Sequence, residues 1–331
     1  MDQWNHMGID VSAKTLDVAL AGEGIPVISV TFPNTSMGHR QLIKWATKRG
    51  RSARVCLEAT GVYSASIALA IQRHPRLDIM VVNPKAIRNY GQARMQRAKT
   101  DRIDAQLILD YGQRMPFVSW QPPSENMLQL QAITRRITQL KSESQREKNR
   151  LHAESYRATP TDLIERDIQV HIRHMERRIQ YLTEKGMALV RAVSALSGPF
   201  QRLRSIPGIG QTSALRILAE LAVLPKDMKP VQWVAHAGLD PRPYESGSSI
   251  HPPRKITKIG NKFLRTALYM PALVAIRHQC QIKAFYEKLI AAGKNPRLAI
   301  TAVMRKLLHT IWGVWKHDQD FDGQKFYRVA V

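Results

Sequence analysis

Three short apolar runs open the chain, around residues 7–9, 16–21 and 27–31, separated by the turn sequences Ser12-Ala13-Lys14 and Gly22-Glu23-Gly24. Glycine tolerates the positive φ of a tight connection, so the pattern predicts a β-meander. Asn34-Thr35-Ser36 offers caps for a helix over 39–47, where Leu42, Ile43 and Ala46 share a face. Further apolar runs at 54–58 and 78–82 flank a helical stretch over 63–71, and the second run closes on Asn83-Pro84. From 86 to 99 the chain is basic, with Arg88, Arg94, Arg97 and Lys99 around Tyr90. Thr100 then caps a helix reaching about Gln113.

A meander followed by strand, helix and strand is an α/β layer whose second half pairs in parallel, the order expected of an RNase H-like fold. Met115-Pro116 and Gln121-Pro122-Pro123 end this region. Beyond it, Leu130, Ile133, Ile137 and Leu140 recur at spacings of three and four, weakened further on by Ser144 and Glu147. A second seam runs through Ile168, Ile172, Met175, Ile179 and Leu182. These are heptad patterns, and the break at 156–161 predicts two long antiparallel helices. A helix over 125–155 would be roughly 46 Å long at about 1.5 Å per residue. It should project, to self-associate or to hold two domains apart. Ile206-Pro207-Gly208-Ile209-Gly210 opens a last, mainly helical domain with a polar loop over 240–251, a basic segment over 254–262 and helices from 263 to 314. The boundaries expected are 1–120, 121–198 and 199–331.

Charge narrows the function. The 331 residues hold 50 Lys and Arg against 26 Asp and Glu, a formal net charge of +24, which calls for a polyanionic partner. No apolar run approaches the roughly 18 residues of a membrane span, so that partner is nucleic acid and not a membrane. The start, Met1-Asp2-Gln3-Trp4-Asn5, is unlike a signal peptide, so the expected location is the cytoplasm. Cys56 and Cys280 lie far apart in apolar sequence and read as buried thiols of a reducing compartment.

Against this basic background, four acids stand at non-random places. Asp10 and Glu58 each close an apolar strand run, where a carboxylate is costly unless compensated. The first and fourth strands of such a sheet are neighbours, so the two carboxylates can meet. Two negative charges about 4 Å apart repel by roughly 4 kcal/mol at an effective dielectric near 20, and cations between them would offset this. Asp101 and Asp104 share a face at a helix start, where a bland reading is favourable interaction with the helix dipole. Together the four can hold two Mg²⁺ ions, with Mn²⁺ as an alternative, for in-line attack on a phosphodiester. Gly208 and Gly210 suit a helix-hairpin-helix phosphate contact. Arg94, Arg97, Lys99, Arg254, Lys255, Lys258 and Lys262 are candidate backbone contacts.

The full set of motifs resembles the DEDD transposases of bacterial insertion sequences, also called bridge recombinases. The resemblance rests on Gly8-Ile9-Asp10, Glu58-Ala59-Thr60-Gly61, Lys99-Thr100-Asp101 with Asp104-Ala105, and Ile206-Pro207-Gly208-Ile209-Gly210. It continues through Ala237-Gly238-Leu239, Tyr244-Glu245-Ser246-Gly247-Ser248-Ser249 and Leu268-Tyr269-Met270-Pro271-Ala272. It implies a RuvC-like domain, a coiled-coil linker for oligomerisation and a C-terminal transposase domain. It also implies that Asp10, Glu58, Asp101 and Asp104 bind metal, and that Ser246 is the nucleophile that links to DNA. The implied partners are donor DNA, target DNA, a structured bridge RNA and further copies of the chain as a dimer or tetramer, on the bacterial nucleoid. A RuvC-type nuclease in which water attacks, and a non-catalytic nucleic-acid-binding protein, stay open as readings of the same residues.

Overall fold

A computed structural model describes residues 4–22, 25–95, 100–159, 161–242 and 255–328. The chain divides into two compact units, Met1–Pro122 and Pro123–Val331, the first α/β and the second mainly helical.

In the first unit, strands β1 (Asn5–Val11), β2 (Thr15–Gly22) and β3 (Ile25–Pro33) form the meander, followed by helix α1 (Ser36–Ala46). Strand β4 (Ala53–Glu58), helix α2 (Val62–Gln72) and strand β5 (Leu77–Val82) come next, then helices α3 (Pro84–Ala93) and α4 (Asp101–Arg114). The sheet order is β3-β2-β1-β4-β5. β1, β2 and β3 pair antiparallel, whereas β1–β4 and β4–β5 are parallel. Period-two alternation separates the faces. Met7, Ile9, Val11, Val55 and Leu57 join Leu42, Ile67 and Ile71 of α1 and α2 in one core. On the other face, Ala19 meets Ala105 and Leu109 of α4, while Cys56 packs with Ile108.

Helix α3 occupies the basic stretch where the sequence pattern suggested none. Asn83 caps it by accepting from the Lys85 N–H, and Pro84 sits in its first turn, a placement that suits proline because its missing N–H would have no helical partner there. Residues 23–24, within the Gly22–Gly24 turn, lie outside the described residues.

The second unit begins with the long helices α5 (Glu125–Glu154) and α6 (Asp162–Ala192). They run antiparallel: Gly186 packs near Leu130 and Ile133, while Lys148 pairs with Glu176 at 2.8 Å. Leu130, Ile137, Leu140 and Ser144 are buried along the α5 seam, and Ile172 and Met175 along that of α6. Then follow α7 (Ser194–Arg204), α8 (Gln211–Leu221), α9 (Pro230–Ala237), a two-stranded ribbon of β6 (Pro241–Arg242) and β7 (Lys255–Ile256), and α10 (Lys262–His278). Helices α11 (Cys280–Ala291), α12 (Pro296–Lys316) and α13 (Gly323–Phe326) complete it. One core joins Leu196, Leu215, Leu218, Trp233, Leu268 and Leu307. Cys280 opens α11 on the surface, so only Cys56 is a buried thiol; the apolar neighbours of Cys280 turn inward on the helix and leave the thiol out. No described helix is long and apolar enough to cross a membrane.

Candidate active site

Glycines set the geometry of the acidic face. Asp10 stands two residues beyond Gly8 on β1, and therefore on the same side of the sheet. A Cβ on Gly8 would lie 2.3 Å from the Leu109 backbone nitrogen and 2.5 Å from the Ala105 carbonyl oxygen. Only glycine lets α4 lie this close to β1. Gly112 repeats the device from the helix side, where a Cβ would meet that of Cys56 at 2.7 Å. Helix α4 is thus laid along the face that carries Asp10, with Asp101 and Asp104 in its first turn and Thr100 capping it through the Ile103 N–H.

Asp10 feels the charges of the neighbouring acids. Burial holds the Asp10 carboxyl above the usual carboxylate range, and the Asp104 charge pushes it further, with smaller pushes from Asp101 and Asp17. The Val11 N–H opposes them. Glu58 is reached by register: Ile9 faces Leu57 across the parallel β1–β4 pair, and each acid follows immediately. Its charge adds to the burial that pushes the Cys56 thiol up to about 12. Asp17 escaped the sequence reading. It is the cross-strand partner of Asp10 and accepts a hydrogen bond from Thr31 Oγ1 at 2.6 Å. Counting outward from the Ser12–Lys14 turn would have found it.

The loops after the two strands are braced together. Asn34 Nδ2 donates to the backbone oxygens of Ser12, at 2.9 Å, and Tyr63, at 3.1 Å. Asn34 Oδ1 lies 2.8 Å from Nε2 of the buried His39, whose imidazole is held below its usual range by burial. One side chain therefore ties the end of the Asp10 strand to the start of α2, just past Glu58.

The donor set suits a hard divalent cation, since it consists of carboxylate oxygens whose mutual repulsion a cation relieves. Thr60, two residues after Glu58, also keeps a buried hydroxyl with no hydrogen-bond partner. Among the described residues, however, no three His, Cys, Asp or Glu side chains gather closely enough to hold an ion. Asp10, Asp101 and Asp104 share a field without closing a coordination shell, and strand register sets Glu58 beside Asp10.

In the second unit Ser246 and Arg254 lie outside the described residues, as do Arg97 and Lys99 in the first. The two ends of the serine segment are described and clamped. β6 and β7 pair antiparallel, Thr257 N donates to Asp240 O at 3.0 Å, and Asn261 N donates to His236 O at 2.6 Å. Gly238 closes α9 at φ 64°. A Cβ there would come within 2.8 Å of the Ile259 carbonyl oxygen.

Beneath this clamp Glu220, 2% exposed, accepts from Arg135 Nε and Nη2 at 2.8 Å each and from Asn261 Nδ2 at 2.6 Å. Asn261 also caps α10. His236, beside it, is pushed down by burial, and the Arg135 charge pushes the same way against Glu220. Nothing in the local pattern of α8 announced this network, because its members lie far apart in sequence.

The basic candidates divide. Arg94 pairs with Asp110 at 3.5 Å. Lys258 is exposed at φ 53°, and Lys255 lies in the ribbon. Lys262 stands over the Phe263 ring at 5.4 Å. Gly208, at φ 88°, lies against α10, where a Cβ would meet the Pro271 carbonyl oxygen at 2.4 Å. Gly210 caps α8 with open space before it.

Two family matches bear on this geometry. A DEDD-type IS110 transposase family matches residues 7–154, and the transposase IS116/IS110/IS902 family matches residues 200–287. The chain belongs to this transposase family. Along its length the transposase is similar to the pilin gene-inverting proteins of Moraxella bovis and Moraxella lacunata. Each is 30% identical over 96% of this chain and 97% of the relative. A transposase for insertion sequence element IS1111A from Coxiella burnetii is 28% identical over 40% of this chain and 37% of that protein. The transposase is therefore a DNA recombinase with DNA as its substrate, in a family whose DEDD domain is typically metal-dependent.

Proposed function

We propose that this transposase cuts and rejoins DNA of an insertion sequence through a phosphoserine intermediate at Ser246, with Mg²⁺ held by Asp10, Glu58, Asp101 and Asp104. The observation that carries the reading is the field at Asp10: a half-buried carboxylate facing the charges of Asp104 and Asp101 from a helix that Gly8 admits to the strand. Bound there, a divalent cation supplies activation of a hydroxyl nucleophile and neutralises charge on the phosphate.

The steps fall to the chain's own groups. Ser246 Oγ loses its proton and attacks phosphorus, the bond from phosphorus to the leaving sugar oxygen breaks, and that oxygen takes up a proton. The phosphodiester bond is conserved as a serine ester, so a sugar hydroxyl of a second DNA can reverse the step with no external energy source. The Glu220–Asn261–His236 network holds both ends of the serine segment, and it would fix where the hydroxyl is delivered.

In this reading residues 1–120 are a RuvC-like domain of RNase H-like fold, which the strand order β3-β2-β1-β4-β5 supports. Residues 121–198 are a coiled-coil linker that associates copies into a dimer or tetramer, and residues 199–331 are the transposase domain. A structured bridge RNA pairs with donor and target DNA, so base pairing carries sequence choice. The protein works on the bacterial nucleoid.

The test is to trap the covalent protein–DNA adduct and map the modified peptide. The adduct is expected on Ser246 and absent from Ser246→Ala. If Ser246→Ala still cleaves at the wild-type rate, water is the nucleophile and the serine reading falls.

A further inference from the structure

Within the second unit, α5, α8 and α10 enclose a groove of ≈ 540 Å³ whose wall carries Lys141, Arg146, Arg216 and Lys262 against a single acid, Glu143. Four cations facing one anion is a costly arrangement in a partly buried cleft, where like charges repel and water is reduced. Arg216 is the half-buried member, while Lys141, Arg146 and Lys262 reach into the groove from exposed positions. Burial, and then the neighbouring Arg216 charge, pushes the Lys141 ammonium below its usual range. Burial likewise lowers Arg216, against the Glu220 charge. Glu220 acts on Arg216 through its charge alone, because its oxygens are already taken by Arg135, Gln131 and Asn261. Among the described residues none of Lys141, Arg146 and Arg216 has a hydrogen-bonded or ion-paired partner.

The groove has a second component. Phe263 lines it beside Lys262, and its ring is held between cations, with Arg135 at 4.9 Å and Lys262 at 5.4 Å from the centroid. The hydroxyls of Thr138 and Thr266 are turned to their own helices, donating to Thr134 O at 2.9 Å and Lys262 O at 2.8 Å. The charged donors facing the groove are the cationic heads. That composition suits an anion with several oxygens. Three helices of one core build the wall, so the backbone positions that carry the cations are fixed before a ligand arrives.

We propose that this groove is a binding site for the phosphodiester backbone of a nucleic acid, with Arg216 at its floor and Lys141, Arg146 and Lys262 at its rim. It rests on the chain being a nucleic-acid enzyme and is independent of the metal and serine assignments. Lys141, Arg146 and Arg216 were not among the contacts that the sequence pattern suggested. They are scattered singly along two helices, and only the packing of α5 on α8 gathers them.

The test is fluorescence anisotropy of the full chain with a labelled RNA hairpin and, separately, a DNA duplex of equal length, each over a range of salt concentrations. The Lys141→Gln/Arg216→Gln variant is expected to bind about tenfold more weakly at low salt. The slope of log affinity on log salt should become shallower by about 0.9 for each duplex phosphate that the variant no longer neutralises, or about 0.7 on a single strand. Weakening for the hairpin alone assigns the groove to RNA, and weakening for the duplex alone to DNA. Affinity and slope unchanged for both, in a variant with wild-type circular dichroism and melting, overturn the proposal.

Lysine acylation of the wild-type chain supplies a readout that does not depend on the variant folding. Bound nucleic acid should protect Lys141 and Lys262 while the exposed Lys294 stays reactive, and equal labelling of all three with and without nucleic acid overturns the site. Asp10→Asn separates the two questions: its loss of recombination speaks to the catalytic reading and leaves the groove untouched.

Discussion

The two units solve opposite electrostatic problems by opposite means. In the first, the backbone brings carboxylates onto one face: Gly8 and Gly112 let α4 lie on β1 and β4, and Asp10 is left in a field of like charge. In the second, the buried carboxylate of Glu220 is fully occupied, taking four hydrogen bonds from three side chains, and cations without an ion-paired partner among the described residues face a groove. A satisfied buried ion fixes a structure, whereas an unsatisfied cluster stores a demand for a ligand. Charges that hold the fold of this protein are thus separable from those that wait for a partner.

The largest expected effect lies on the acidic face. Asp10→Asn should lower recombination by about 10³-fold, on the scale of removing one preorganised electrostatic group from an active site. The same substitution removes a repelled charge, so its melting temperature in the absence of divalent ions should not fall below that of the wild type. Lost activity accompanied by a lower melting temperature would make Asp10 a structural residue and erase the contrast with Glu220.

Next comes Glu220→Gln, which leaves Arg135 without its charged partner. Breaking a buried pair costs about 3–5 kcal/mol, and because Arg135 is 38% exposed the expected loss in a urea melt is smaller, about 2–3 kcal/mol. A loss under about 0.5 kcal/mol would show that Glu220 does not hold the clamp. Gly8→Ala sharpens the other side. Its methyl group must displace the α4 backbone, at about 1–3 kcal/mol, and recombination should fall further than the stability loss explains, because Asp101 and Asp104 move with the helix. Retained activity in this variant would mean that the close approach of α4 does not set the site.

Much of this was legible in the sequence where one local rule sufficed. Asp10 and Glu58 are visible because strand alternation and chain order alone place them at the ends of neighbouring strands. Asp101 and Asp104 are visible because Thr100 marks a helix start. Helix α3 was obscured by its charges, although Asn83-Pro84 is a start signal. Asp17 needed the register of a hairpin, and the role of Gly8 needed the helix that lies on it. Glu220, Asn261 and Arg135, like Lys141 and Arg216, are brought together by packing across long sequence separations, which no periodicity encodes. The serine motif was legible only through the family resemblance, since a glycine-serine loop carries no pattern of its own.

Whether the acids around Asp10 form a cation site is tested, without any recombination assay, by calorimetric titration of the wild-type chain and of Asp10→Asn and Asp104→Asn with Mn²⁺. Saturable binding by the wild type is expected, with a rise in stability of about 2.7 kcal/mol when the ion reaches a hundredfold excess over its dissociation constant, and loss of both in the two variants. Equal Mn²⁺ binding by all three proteins, or none by any of them, would contradict a cation site built on these carboxylates.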